Sequence, residues 1–256
     1  MTNGQEDRVK TGVAGLDAML GGGLMRGDSL LVAGSPGTGK TTLALHFLAA
    51  GIAANEPGVL ITFEYLPQQI YRDAERRGWP IQRWESEGKI RVICTSPELL
   101  LGSKDDSFSL LDDLLRGIGA RRVVIDSMTN FELLSEPGEH LRSRTAGLIN
   151  HLRLANVTPL LTHEVPQIIG PAVTISSYGL EFVVDSIVML RYVELEGTLE
   201  KVINVLKFRG GAHDRSYRLL HLGEKGVTVE APLSNVENIT GGAARRLESD
   251  RIKRLV

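Results

Sequence analysis

The chain of 256 residues is 42% apolar and 23% charged, with a net charge of −2; this fits one large α/β domain that buries its core without disulfides or metals, and supplies no global field toward nucleic acid or acidic membranes. Cys94 is the sole cysteine, which excludes an internal disulfide and suits a reducing cytosol. No apolar run reaches membrane-spanning length, and the polar start MTNGQEDRVK lacks the apolar stretch of a secretory signal, so a soluble cytoplasmic protein is expected.

Short runs of Val, Ile and Leu alternate with helical patterns from residue 29 onward. Ser29–Gly34 reads as a buried strand, and Thr41–Ala54 as a helix. Between them Gly34-Ser35-Pro36-Gly37-Thr38-Gly39-Lys40-Thr41 matches G-x-x-x-x-G-K-[ST] in full, in the strand–helix context where such a loop cradles phosphate. A Cβ at Gly34, Gly37 or Gly39 would block the turn or the approach of a ligand. The remaining loop residues Ser35, Pro36 and Thr38 extend a nest of inward N–H groups, to which the helix start adds its positive end. Lys40 supplies a cation for the outer phosphates, and Thr41 offers its hydroxyl to Mg²⁺ with Thr42 beside it. ATP and Mg²⁺ are therefore the expected ligands; the alternative is a Gly-rich turn that holds none.

Val59–Phe63 is the next strand, and Glu64 follows at its end, where a carboxylate can orient or deprotonate an attacking water and share in holding the metal. The alternative is a surface acid at a strand terminus. Gln68–Arg77 reads as a helix, Trp79 and Trp84 as apolar closures of a small subdomain beside the nucleotide, Ile90–Cys94 as a strand and Ser109–Ile118 as a helix. Val123–Asp126 is a buried strand whose terminal Asp126 falls where open α/β sheets bind ligands; it would hold Mg²⁺ through water, or else serve as a helix cap. Arg142–Leu154 is helical and Pro159–Thr162 a strand. Thr162-His163-Glu164 then reads either as a γ-phosphate sensor or as a plain loop. Ser186–Leu190 completes a strand–helix alternation that predicts a mainly parallel sheet covered on both faces.

After residue 185 the pattern changes. Val202–Phe208, Tyr217–His221 and Val227–Val229 follow one another with short loops, which predicts an antiparallel extension on one sheet edge. On a regular strand Lys207 and Arg209 share one face, and Leu206 and Phe208 the other. Two adjacent cations need solvent or an anion; a solvated edge and a phosphate-facing edge both satisfy them. Residues 231–256 are polar and read as a tail, either mobile or carrying a charged docking helix over 243–255 for an unidentified partner. Residues 1–230 form the expected domain.

Together these segments resemble the KaiC-like branch of the RecA superfamily. The resemblance rests on Thr11–Gly27, FEYLPQQI at 63–70, IDS at 125–127 and Lys207-Phe-Arg-Gly-Gly-Ala-His213, and covers about residues 8–230. It implies a RecA-like fold and a single-domain relative of circadian KaiC, which carries two such domains. It also implies a homo-oligomeric ring, commonly of six, with ATP between neighbours, and Lys207, Phe208, Arg209, His213 and Arg215 reaching the nucleotide of the adjacent subunit. Tyr65 stands where the family has a second glutamate, which bears on turnover rather than binding. Glu181-Phe182 stand where circadian KaiC has a Ser-Thr pair, so autophosphorylation there is not expected; Ser176 and Ser177 are read as loop residues. Competing readings are a low-turnover ATP-binding module and a recombinase-type DNA binder. The second is disfavoured because Val165–Leu180, the obvious axial loop, contains no Lys or Arg.

Overall fold

A computed structural model describes residues 7–102, 108–134, 138–169, 174–234 and 236–246. Along the chain come β1 (Arg8–Val9), α1 (Ala14–Met19), β2 (Leu24–Met25), β3 (Leu30–Gly34), α2 (Lys40–Ala53), β4 (Gly58–Thr62), α3 (Pro67–Glu75), α4 (Ile81–Ser86) and β5 (Ile90–Cys94). Then follow α5 (Pro97–Leu101), α6 (Ser109–Ile118), β6 (Arg122–Asp126), a 3-10 turn at Met128–Leu133, α7 (Gly138–Leu154), β7 (Thr158–Glu164) and α8 (Leu180–Val183). The chain continues through β8 (Ser186–Leu195), β9 (Thr198–Phe208), β10 (Arg218–Gly223), β11 (Gly226–Pro232), β12 (Val236–Glu237) and β13 (Ala243–Arg246).

The main sheet runs β11-β10-β9-β8-β3-β7-β6-β4-β5. Strands β8, β3, β7, β6, β4 and β5 pair in parallel, whereas β8–β9, β9–β10 and β10–β11 are antiparallel. The parallel strands read as continuous apolar runs because both faces are covered. Their alternation divides the core: Leu30, Val32, Leu60, Val124 and Leu160 pack with α1 and α2 on one face, and Leu31, Ala33, Ile61, Val123, Ile125 and Leu161 pack with α6 and α7 on the other. The mainly parallel sheet and its antiparallel C-terminal strands agree with the sequence reading.

Two expectations change. The register shifts between Ile187 and Val188, so Lys207 faces Ile187 while Val205 faces Val188, and Leu206 is the extra residue of a bulge. Leu206 therefore stays 49% exposed while Phe208 is 8% exposed in the core, and the two do not share a face. Neither reading offered for the tail, a mobile segment or a charged helix over 243–255, describes its start, because Ala243–Arg246 is a strand whose Ala243 and Ala244 pair in parallel with Glu194 and Leu195; residues 247–255 lie outside the described residues. Ser176 lies in the loop before α8, as the sequence reading has it, with its hydroxyl held in place. It is buried, accepts from Leu180 N at 2.7 Å and donates to Glu181 Oε2 at 2.9 Å.

Candidate functional site

Parallel pairing brings Gly34, Thr62, Asp126 and Glu164 to one sheet edge, since these residues end neighbouring strands β3, β4, β6 and β7. A cleft of about 320 Å³ opens there. It is lined by Pro36, Gly37, Gly39, Lys40, Thr41, Thr42, Glu64, Tyr65, Asp126, Ser127, Glu164 and Leu222.

The loop from 34 to 41 takes its shape from glycine. Gly37 and Gly39 have φ of +77° and +105°, which side-chain-bearing residues rarely adopt. A Cβ on Gly34 would come within 2.4 Å of Leu190 O in the neighbouring strand. Ser35 and Thr38 point inward and brace the turn: Thr38 Oγ1 donates to Ser35 O at 2.8 Å, and Ser35 Oγ donates to Gln167 O at 2.6 Å. Lys40 opens α2 and folds back over the loop, where Nζ donates to Gly34 O at 2.9 Å and Ser35 O at 3.2 Å and lies 3.4 Å from Glu164 Oε1. Burial lowers its ammonium from the ordinary lysine range, and Glu164 opposes that shift.

Thr41 Oγ1 donates to Asp126 Oδ2 at 2.8 Å, and Thr162 Oγ1 bonds the other carboxylate oxygen. A hydroxyl and a fixed carboxylate in contact are hard oxygen donors of the kind Mg²⁺ takes. Among the described residues no group of three or more His, Cys, Asp or Glu is arranged to hold a metal.

Glu64 and Tyr65 are exposed beyond the end of β4. Thr62 Oγ1 accepts from both of their backbone N–H groups, at 3.4 and 3.2 Å, and this turns the chain over the cleft. Partial burial and then the carboxylates of Glu64, Asp126 and Glu164 raise the Tyr65 phenol above its ordinary range. Leu222 reaches the cleft from the tip of the β10–β11 hairpin, 180 residues away in sequence from Thr42; no local pattern points to it. Trp79 and Trp84 pack against the core behind α2 and do not line the cleft.

Lys207, Arg209, His213 and Arg215 do not line this cleft. β9 runs antiparallel to β8, so Phe208 pairs with Ser186, whose other neighbour is Leu30 at the start of β3. The loop after Gly34 is about 13 Å further along that strand. Lys207 Nζ donates to Glu181 O at 3.0 Å and Val184 O at 2.6 Å. Arg209 Nη1 lies 3.4 Å from Asp185 Oδ1, and Arg209 remains 56% exposed. His213 meets the edge of the Phe208 ring, with centroids 6.0 Å apart, and Arg215 is exposed.

A search against protein families matches residues 9–234 to the family described as ATPase: KaiC. The circadian clock protein KaiC3 of Synechocystis sp. is 31% identical over 248 residues, which are 97% of this chain and 48% of that protein. The circadian clock oscillator protein KaiC of Nostoc sp. is 30% identical over 243 residues, 95% of this chain and 46% of that protein. The chain thus spans about half the length of these curated relatives. Among solved structures, the KaiC-like protein PH0186 of Pyrococcus horikoshii OT3 matches with a TM-score of 0.77 at 30% identity, over 88% of this chain and 99% of that one. With a phosphate-loop cleft at the edge of a RecA-like sheet and a family match over nearly its whole length, the chain belongs to the KaiC family of ATPases.

Proposed function

We propose that this protein is a Mg²⁺-dependent ATPase that works as a homo-oligomeric ring, six subunits in number, with nucleotide between neighbours and an output in signalling or assembly. The observation that carries the nucleotide reading is the convergence of Lys40, the Thr41–Asp126 contact and Glu64 on one cleft at the end of a phosphate-type loop. The loop amides cradle the phosphates, and Lys40 releases the Gly34 and Ser35 carbonyls to meet the outer ones. Thr41 and Asp126 would hold Mg²⁺, Asp126 through water, and bound Mg²⁺ supplies charge neutralisation on the phosphate oxygens. Glu64 orients a water for in-line attack and takes its proton: the water oxygen bonds the γ-phosphorus, the bond to the β–γ bridging oxygen breaks, and ADP leaves with that oxygen.

Charge balance supports the oligomer. The cleft presents three carboxylates, Glu64, Asp126 and Glu164, against one lysine. A polyanion entering that field needs cations beyond Lys40 and the metal. Arg209 is exposed at the opposite sheet edge, too far away to serve its own chain. A head-to-tail contact of that edge with the next subunit's cleft supplies Arg209, with Lys207, Phe208, His213 and Arg215 around it, and closes a ring if the rotation permits. Tyr65 in place of a second acid favours slow turnover, and a low-turnover ATP-binding module is the second reading.

The decisive experiment is ATP affinity of Lys40→Ala measured by calorimetry on folded protein. Loss of a charge-assisted phosphate contact is expected to raise Kd by about tenfold or more. An unchanged Kd would falsify the nucleotide reading.

A further inference from the structure

Glu164 is the last residue of β7 and stands over the phosphate loop with its side chain 44% exposed. It is the one carboxylate within ion-pair distance of Lys40 among the described residues, at 3.4 Å. Its backbone is fixed on both sides. Glu164 N donates to Thr129 Oγ1 at 2.8 Å, and Val165 N donates to Gly34 O at 3.1 Å. That same Gly34 carbonyl accepts from Lys40 Nζ at 2.9 Å. The Glu164 main chain is thus stapled to the loop itself, and its carboxylate can leave the lysine only by side-chain rotation.

Two anions then compete for one cation. A lysine in this loop position serves the outermost phosphates of a nucleotide. When Lys40 holds a γ-phosphate, Glu164 becomes a like charge beside it, in a cleft that already carries Glu64 and Asp126. When ADP is bound, the outermost position is vacant and the carboxylate keeps its lysine contact. We propose that Glu164 is a positioning residue that competes with the γ-phosphate for Lys40, so that it weakens ATP more than ADP and is expelled when ATP arrives. This rests on the nucleotide reading of the cleft given above. It assigns to Glu164 one of the two roles that the Thr162-His163-Glu164 segment left open. Thr162 is committed to Asp126, and His163 is buried beside Glu132, 3.3 Å away.

The test is calorimetric affinity for Mg·ATP and Mg·ADP in Glu164→Gln, made on a Glu64→Gln background so that ATP persists. Neutralising the carboxylate is expected to tighten ATP about threefold while ADP changes less. The gain should shrink as salt is raised, because the repulsion it removes is partly solvent-exposed. Glu164→Ser is a second arm expected to shift the ATP-to-ADP ratio in the same direction. A ratio that stays constant or moves toward ADP in variants that melt at the parent's temperature overturns the proposal. Lys40→Ala in the same assay separates the two claims. If it binds ATP as well as its parent, the cleft reading itself fails; if it loses ATP while Glu164→Gln leaves the ratio constant, only the competitor role fails.

Discussion

Glu64 and Tyr65 are consecutive residues turned over one cleft by the same Thr62 hydroxyl, yet they differ in what they can do to a water molecule. Glu64 is an exposed carboxylate able to accept a proton. The Tyr65 phenol has its pKa raised by burial and by the carboxylates of Glu64, Asp126, Glu164 and Asp73, so it stays neutral and cannot act as a base near pH 7. Glu64→Gln is therefore expected to lower steady-state turnover by about 10²-fold or more while ATP affinity is retained, a split read from phosphate release and calorimetry on the same preparation. Tyr65→Glu adds a second carboxylate and is expected to raise turnover severalfold. A fall in turnover would instead mean that the phenol itself contributes to the reaction.

Among the elements, the β10–β11 hairpin joins the site by an unusual anchor. Val227 N donates to His46 Nε2 at 2.7 Å, which ties the hairpin to the helix that carries Lys40. His46 also meets Trp79 edge-on, with ring centroids 4.7 Å apart. Burial, and then Arg77, push the His46 imidazole down to about 4. Only the neutral ring can accept from Val227, so the folded state disfavours its protonation. Between about pH 6.5, where an unfolded histidine titrates, and about pH 4, the unfolded chain binds the extra proton. Stability is complete above that window and falls as pH drops through it. After allowance for partial solvent access, the loss is on the order of 1–2 kcal/mol. Urea unfolding at pH 7 and pH 4.5 checks this against His46→Gln, which should flatten the pH slope.

For the whole molecule, the important relation is between two opposite sheet edges. One carries the phosphate loop with its excess of carboxylates; the other carries Arg209, held by Asp185, which also accepts from Ser29 N and Arg153. A chain arranged this way is expected to gain mass in multiples of the protomer when Mg·ATP is added, as measured by light scattering. Arg209→Ala is expected to lose most of its turnover while each protomer still binds nucleotide. Mixing inactive Lys40→Ala with inactive Arg209→Ala should restore activity at roughly one interface in four, since a head-to-tail contact can then unite an intact loop with an intact arginine. No recovery on mixing would place Arg209 outside the neighbour's site.

Much of this was legible in the chain alone, because the signals involved are local. The loop motif, the strand before it and the helix after it are consecutive, and glycine at 37 and 39 answers to backbone geometry that only glycine adopts readily. Asp126 and Glu64 line one cleft, as expected of acids that follow buried strands in a parallel sheet and so converge on one edge. The bulge at Leu206 was not legible, since alternation assumes an unbroken register and the slip is set by how β9 pairs with β8. Nor was the strand at Ala243–Arg246, whose polar sequence takes its partner from β8. Leu222 in the cleft and Glu164 against Lys40 depend on separations of 182 and 124 residues from the loop. Sequence by itself determined the shape of the loop from 34 to 41 and the end of the sheet on which it lies, because short-range backbone sterics and strand order dictate them. Only the tertiary structure decided which distant charges face that loop, because pairing across a sheet is a property of the packed whole.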